Sequence, residues 1–424
     1  YRVRFSPPKE GEWNYYTVSN QKKLNNKRGK IACVAAEAQN KGPVRIDQEN
    51  PFGFSYANDT PFHPFGTTLY AWAHQADSLA QRTVQTLSEG YFNKVRMCVF
   101  PKAYWWNQAE PSLYPFEGTP LEEWDFTRLN PQFFQNLEQR ILQLDSLGIE
   151  VDLILFHPYD RWGFSKMDSL SNYRYLDYVM ARLSAFKNVW WSLANEFDFV
   201  EQLKLEDWDA LIAHVAKNDP YSRLRSIHNG VAMYDHGNPL VSHASIQADD
   251  ISSIPRWREA YQKPIIIDEC GYEGDIPWFW GQLTPEALLA KFWEGITRGA
   301  YVSHGETYLE QARTDRRVEE NDDVLWWSKG GVLRGKSPER IAFLHEIVAS
   351  GAGSRAANED DYLVYFGDRQ PALHLMEFPG NETYEVTVID TWNMTARTLE
   401  KEYSGYSLIP LPSKPYMALR IKKQ

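Results

Sequence analysis

Cysteine is scarce in this 424-residue chain: Cys33, Cys98 and Cys270 are the only three, and they lie far apart. Three thiols cannot build a disulfide framework, and no CxxC pair or His/Cys ligand spacing points to a structural zinc site. Long hydrophobic runs are missing as well, since no stretch reaches the roughly 18 uninterrupted apolar residues of a membrane span. Positive charge is also short. The formal net charge is −11, which argues against a nucleic-acid partner, because that calls for a basic face. The chain begins at Tyr1 with neither an initiating Met nor a signal peptide, which leaves the compartment open, with a periplasmic or extracellular one favoured over the cytoplasm. Oligomeric state is not encoded in any recognisable motif.

Aromatic residues are abundant instead, at 14% with 16 Trp. A Trp ring is apolar on its face and polar at one edge, so it serves either as core packing or as a stacking platform for a sugar. Hydrophobic residues make up 43% of the chain, enough for sizeable cores, and the length suggests a domain of about 250 residues with smaller modules beside it.

Three patterns follow one another along the chain. Residues 1–48 read as β structure, with "YRVRFSP", "GEWNYYTVSN", "KIACVAAEA" and "GPVRID" as strands; this is a partial N-terminal β-sandwich. Residues 49–350 alternate strand and helix, the signature of parallel β/α units. Eight short strands are expected at 65–70, 94–100, 149–156, 189–194, 224–228, 240–246, 264–270 and 299–304. Amphipathic stretches lie between them at 77–90, 131–148, 171–186 and 284–299. Eight such units predict an α/β fold, a closed (β/α)8 TIM barrel. An open doubly wound sheet is the rival, but no GxGxxG follows the first strand. After the small-residue stretch "ASGAGSR", residues 351–424 turn all-β and predict a small C-terminal β-sandwich.

Barrel enzymes carry their chemistry at the C-terminal ends of the strands, so the residues expected there are the candidates. The first strand ends near Trp72 and the second carries Arg96. The third ends in His157-Pro158-Tyr159-Asp160 and the fourth in Asn195-Glu196. The fifth gives His228-Asn229, the sixth His243 and Gln247, the seventh Asp268-Glu269, and the eighth His304 and Glu306. Glu196 and Glu269 stand out, because each directly follows an apolar run that reads as a buried strand. Strands four and seven lie across the barrel from each other. Two carboxylates facing across its mouth are the parts that glycoside hydrolysis needs. A separation of about 5–5.5 Å makes such a pair retaining, and roughly 6.5–9.5 Å makes it inverting. The alternative is structural, with Glu196 capping a helix and Glu269 paired to an Arg. Asp268 should point away from Glu269 if the strand alternates, and Cys270 reads as a small core residue.

"WWSLANE" at the fourth strand and "IIIDECG" at the seventh resemble the clan A glycoside hydrolases, which are retaining (β/α)8 enzymes. "PFGTTLYAWAHQ", "KVRMCVFPK", "LFHPYDRWGF", "WSLANEFD" and "HGETY" narrow the resemblance to an apiosidase-like branch, over nearly the whole chain. The resemblance implies Glu196 as acid/base, Glu269 as nucleophile and Asn195 as partner of the sugar 2-hydroxyl. It also implies that Arg96 lies beneath Glu269, where a cation favours the ionised form. At strand eight the chain departs from many clan members, offering His304-Gly305-Glu306 where they place a Trp. The sugar-contacting set is then Trp72, Arg96, His157, Asn195, His228, His243, Tyr272, His304 and Glu306, with aromatic loops at 104–106, 162, 278–280 and 326–327 as walls. This reading requires no metal and no cofactor; its partner is a carbohydrate substrate, with neither nucleic acid nor membrane. Two rivals stand beside it. One is a metal-dependent barrel hydrolase built on His157, His228 and His243, which would normally need a His-x-His on strand one that is missing here; the other is a carbohydrate-binding barrel without catalysis.

Overall fold

The computed structural model describes residues 3–104, 106–120, 123–309 and 327–424. Trp105 and Trp326, two of the expected wall residues, lie outside them. Eight short parallel strands form the centre: β1 (Gly66–Thr68), β2 (Lys94–Cys98), β3 (Glu150–Phe156), β4 (Val189–Ala194), β5 (Arg225–Ser226), β6 (Ala244–Gln247), β7 (Ile265–Glu269) and β8 (Tyr301–Val302). β1 to β5 pair in chain order, as do β6 to β8. Two seams join these runs into a closed barrel. At one, His228 bridges to Ser245 and Ser242 N donates to Arg225 O at 2.8 Å. At the other, His304 N donates to Gly66 O at 2.8 Å and Thr68 N to Gly305 O at 2.9 Å. Nearly every strand residue is buried, as expected for parallel strands covered on both faces.

Among the described residues seven helices surround the strands: α1 (Asp77–Ser88), α2 (Pro131–Ser146), α3 (Ser169–Leu183), α4 (Leu205–Asn218), α5 (Ile254–Tyr261), α6 (Pro285–Thr297) and α7 (Ser337–Ala349). Their ends follow local chemistry. α2 starts where the Asn130 side chain accepts from Gln132 N at 3.0 Å, and α6 where Thr284 accepts from Ala287 N at 3.2 Å with Pro285 at the first helical position. α2 buries Phe134, Leu137, Ile141 and Leu144, the positions set by helical spacing. The connection from β5 to β6 departs from the expected alternation: among the described residues it contains no helix. It runs instead as a loop from His228 past the rim.

The N-terminal side of the barrel is plugged. A three-stranded antiparallel sheet (Val44–Ile46, Phe54–Tyr56, Pro61–Phe62) inserts Val44, Phe54 and Phe62 against Trp190, Leu224 and Ile266. Before it, Gly11–Tyr16 and Arg28–Cys33 form an antiparallel hairpin that is exposed over most of its length, and residues 3–7 carry no strand. Beyond α7 comes an antiparallel four-stranded sheet (Asp361–Tyr365, Met417–Lys423, Tyr384–Asp390, Thr395–Thr398) and a two-stranded one (Leu373–Glu377, Tyr406–Pro410). Met376 and Ile409 from the smaller sheet share one core with Tyr362, Val386, Leu419 and Ile421 from the larger. Among the described residues, no helix is long and apolar enough to cross a membrane.

Candidate active site

Above the apolar plug the barrel interior is ionic. Lys94 Nζ lies 2.8 Å from both Asp152 Oδ2 and Asp268 Oδ1, and Arg96 Nε is 3.4 Å from Asp152 Oδ2. All four groups are buried. Asp268 also accepts from Ser303 Oγ at 2.9 Å and Ser245 Oγ at 2.5 Å. The two cations hold its carboxyl well below the usual range, against the opposing effect of burial.

The register at β7 explains how the next layer is reached. Ile246 pairs with Ile267, but Gln247 pairs with Glu269, so the strand bulges at Asp268. A bulge breaks the two-residue alternation. Strict alternation would point Asp268 away from its neighbour; the extra residue instead turns Asp268 down to Lys94 and Glu269 up to the barrel mouth. Asp268 is structural, as expected, but for a different geometric reason.

At the mouth, both oxygens of Glu269 are held by phenols. Tyr70 donates to Oε1 and Tyr272 donates to Oε2 at 2.5 Å, while Arg96 Nη1 lies 4.0 Å from Oε1 and 3.3 Å from the Tyr70 oxygen. Gly305, at φ +65°, has space only for hydrogen, since a Cβ there would lie 2.4 Å from the Tyr272 ring. The β8 loop therefore fixes one of the phenols that hold Glu269.

Across the mouth, Asn195 directly follows β4, and Glu196 adopts the left-handed conformation, φ 52° and ψ 58°. A non-glycine residue there is strained by about 1–3 kcal/mol, and the distortion aims its carboxyl into the barrel mouth instead of along the strand. Asn195 Nδ2 donates to Glu196 Oε2 at 3.2 Å, and Tyr159 and Gln247 line the cavity beside the carboxyl and favour its charged form. The Glu196 pKa is pushed up to about 7, first by burial and then by the charge of Glu269, with Lys102 pulling the other way. Asp198, two residues on, accepts three backbone N–H groups from Gly230, Val231 and Ala232 at 2.5–2.7 Å. That anchors the helix-less β5 loop beside Glu196.

The two glutamates line one cavity of about 430 Å³, together with Tyr70, Lys102, Tyr159, Asn195, Gln247 and Glu306 in its interior. This is within the usual size range for small-molecule sites. Glu306 is held by Ser328 Oγ on Oε1 at 2.6 Å and by the Tyr308 hydroxyl on Oε2. Phe199, Val231, Phe279 and Trp280 form the apolar outer wall.

The family model described as "Apiosidase-like, catalytic domain" matches residues 49–341. The chain belongs to that family. A domain family of unknown function, DUF5605, matches residues 351–422. Among solved structures, a candidate glycoside hydrolase from Bacteroides vulgatus is 36% identical over 100% of this chain and 90% of its own, with a TM-score of 0.90. A glycoside hydrolase family 5 protein from the same organism, 12% identical, covers 90% of this chain and 93% of its own with a TM-score of 0.65, and a further glycoside hydrolase at 11% identity covers 90% and 97% with a TM-score of 0.63. These last two share the fold. None of the curated proteins compared matches the chain.

Of the residues singled out from sequence, the apiosidase-like fold brings Glu196, Glu269, Asn195, Tyr272 and Glu306 to the cavity. Arg96 sits behind Tyr70 and Glu269 and supports them without lining the cavity. Trp72 is corrected outright: it is fully buried, donates to Ala80 O at 3.3 Å, and belongs to the packing between barrel and helices. The four histidines do not reach the cavity either. His157 bonds the Phe100 carbonyl at 3.1 Å, His243 bonds Ser242 Oγ at 3.0 Å beside Trp190, and His304 lies between Thr67 and Thr307 at 3.3 Å from each. His228 is buried within the barrel. Burial lowers all four pKa values, His243 to about 4 and His157 and His304 to about 3, which keeps the rings neutral. Among the described residues, no group of three His, Cys, Asp or Glu could hold a metal ion.

Of the aromatic loops, Tyr104, Phe279 and Trp280 line the cavity, and Trp278 stacks on Trp280 at 6.0 Å. Trp106, Trp162 and Trp327 are buried anchors. Sequence reasoning gave no role to Tyr70, Tyr159 and Lys102. Inward parity would have reached Tyr70, which continues the Gly66, Thr68 phase of β1. At the end of β3 the histidine drew attention from Tyr159, two residues on.

Proposed function

We propose that this glycoside hydrolase retains anomeric configuration and removes a terminal sugar from a plant or microbial polysaccharide or oligosaccharide. The observation that carries the reading is the contrast between two carboxylates in one cavity. Glu269 is surrounded by donors, two phenols and Arg96, which suits an ionised nucleophile. Glu196, with its pKa raised to about 7 by burial and by Glu269, suits a proton donor near neutral pH.

In this mechanism Glu269 attacks the anomeric carbon while Glu196 protonates the departing oxygen, and the glycosidic C–O bond breaks. A covalent glycosyl-enzyme results. With the charge of Glu269 consumed in that bond, the Glu196 pKa falls and its carboxylate takes a proton from water, which attacks the same carbon and frees Glu269. The amide of Asn195, with its oxygen unpartnered among the described residues, is suited to a sugar hydroxyl. End-on action is supported by a cavity walled by loops after β2, β3, β4, β5, β7 and β8. We further propose three units: a partial N-terminal β-sandwich over 1–48, the barrel over 49–350 and a C-terminal β-sandwich over 351–424.

A panel of aryl glycosides tests the activity, and proton NMR of the first-formed product reads the stereochemistry. The same anomer as the substrate is expected, and inversion would overturn the double displacement. Glu269→Ala should lower kcat by roughly 10³-fold or more with little change in Tm; turnover that survives it would sink the assignment of the nucleophile.

A further inference from the structure

Lys102 follows β2 in "FPK", is buried, and lines the cavity. Among the described lining residues it is the only Lys or Arg. Its ammonium lies 4.3 Å from the ring centroid of Tyr70, 4.3 Å from that of Tyr159 and 5.0 Å from that of Tyr104. The first two tyrosines are not equivalent. Tyr70 donates to Glu269, and the Tyr159 phenol lies beside Glu196 in the cavity and interacts with it electrostatically. One cation thus spans the two rings that hold the two carboxylates. Its loop is fixed to match, with Ala103 N donating to Tyr159 O at 2.9 Å.

We propose that Lys102 is a positioning residue shared by both catalytic carboxylates: it clamps the Tyr70 and Tyr159 rings, and its charge stabilises the carboxylate that Glu196 becomes on protonating the leaving oxygen. The inference rests on the two-carboxylate mechanism above. In that step Glu196 passes its proton to the glycosidic oxygen, and the electron pair of the breaking C–O bond stays with that oxygen. Negative charge moves from Glu269, which is becoming an ester, to Glu196. A fixed cation that acts on Glu196 favours the arrival of charge there, and more strongly in a buried site than in water. Cation–π attraction to two faces at once holds the phenols where their hydroxyls meet the carboxylates. The carboxylates that line the cavity with Lys102 are Glu196, Asp249, Glu269 and Glu306, with Asp249 paired to Lys291 and Arg96 behind Tyr70 engaged by Asp152. Its pull on Glu196 opposes that of burial and Glu269.

Lys102→Met keeps the stem and removes the charge, and Lys102→Arg keeps a charge. Carbon-13 NMR of the glutamate carboxyls, assigned with Glu196→Gln, titrates Glu196 in the free enzyme. Its pKa is expected to rise by about one unit in Lys102→Met and to return towards the native value in Lys102→Arg. On aryl glycosides of one glycone, Lys102→Met should lower kcat/KM by roughly tenfold or more for poor leaving groups. It should slow 2,4-dinitrophenyl substrates several-fold less, since those depart without a proton and feel only the loosened Tyr70 clamp. An unchanged Glu196 titration, or equal slowing across leaving groups, overturns the proposal. The titration uses no substrate, so failure of every glycoside in the panel would count against the functional reading and not against this one.

Discussion

Glu196 combines a strained backbone, near-complete burial and a neighbouring carboxylate, and its acidity follows from that setting. Burial disfavours the charged form, Glu269 disfavours it further, and Lys102 with Tyr159 and Gln247 restrains the rise. A proton donor must be protonated to work, so kcat/KM should fall as pH increases through about 7, approaching tenfold per unit. A pH–rate profile of the wild type on a glycoside with a poor leaving group checks this: the alkaline limb should be present there and weaken on a 2,4-dinitrophenyl glycoside, which departs without a proton. At this scale the sequence was most readable for the two glutamates, because each closes an apolar strand. The histidines were misleading for a physical reason. A His at a strand end meets backbone carbonyls and hydroxyls before it meets a ligand, and His157 and His243 are satisfied in that way.

The strands carry a second task besides presenting the glutamates. β2, β3 and β7 bury Lys94, Arg96, Asp152 and Asp268 in mutual contact, directly under the layer that holds Glu269. Buried charges cost several kcal/mol each in desolvation and persist only when paired. Lys94→Met should destabilise the fold by about 3–5 kcal/mol, because two carboxylates lose their common cation. Chemical denaturation checks it, and adding Asp268→Asn should recover part of the loss, whereas strictly additive penalties would refute the network. Element type and order were legible from hydrophobic period and helix caps, as α2 and α6 illustrate. The bulge at Asp268 was not, since register depends on the partner strand. The helix-less β5–β6 connection escaped notice because loop and helix patterns differ little over a short polar stretch.

The barrel and the C-terminal sheets are joined by a continuous core. Leu363, Ile389 and Ala418 pack in one cluster with Trp293, Ile341 and Leu344 of α6 and α7, and the guanidinium of Arg340 lies 3.8 Å from the centre of the Trp392 ring. Removing residues 351–424 would expose that face of the barrel, so the truncated protein is expected to aggregate or to melt at least several degrees lower. Light scattering and a thermal melt would read the outcome; an unchanged Tm would mean that the contact contributes nothing to barrel stability. At this largest scale the sequence by itself determined the parallel β/α alternation, the all-β end and the two glutamates at strand termini, because hydrophobic period and local turn chemistry act over a few residues. Only the tertiary structure decided which polar groups share the cavity. Tyr70, Lys102, Tyr159 and Gln247 come from different strands and meet only when the barrel closes, and the same closure seals the four histidines away from it.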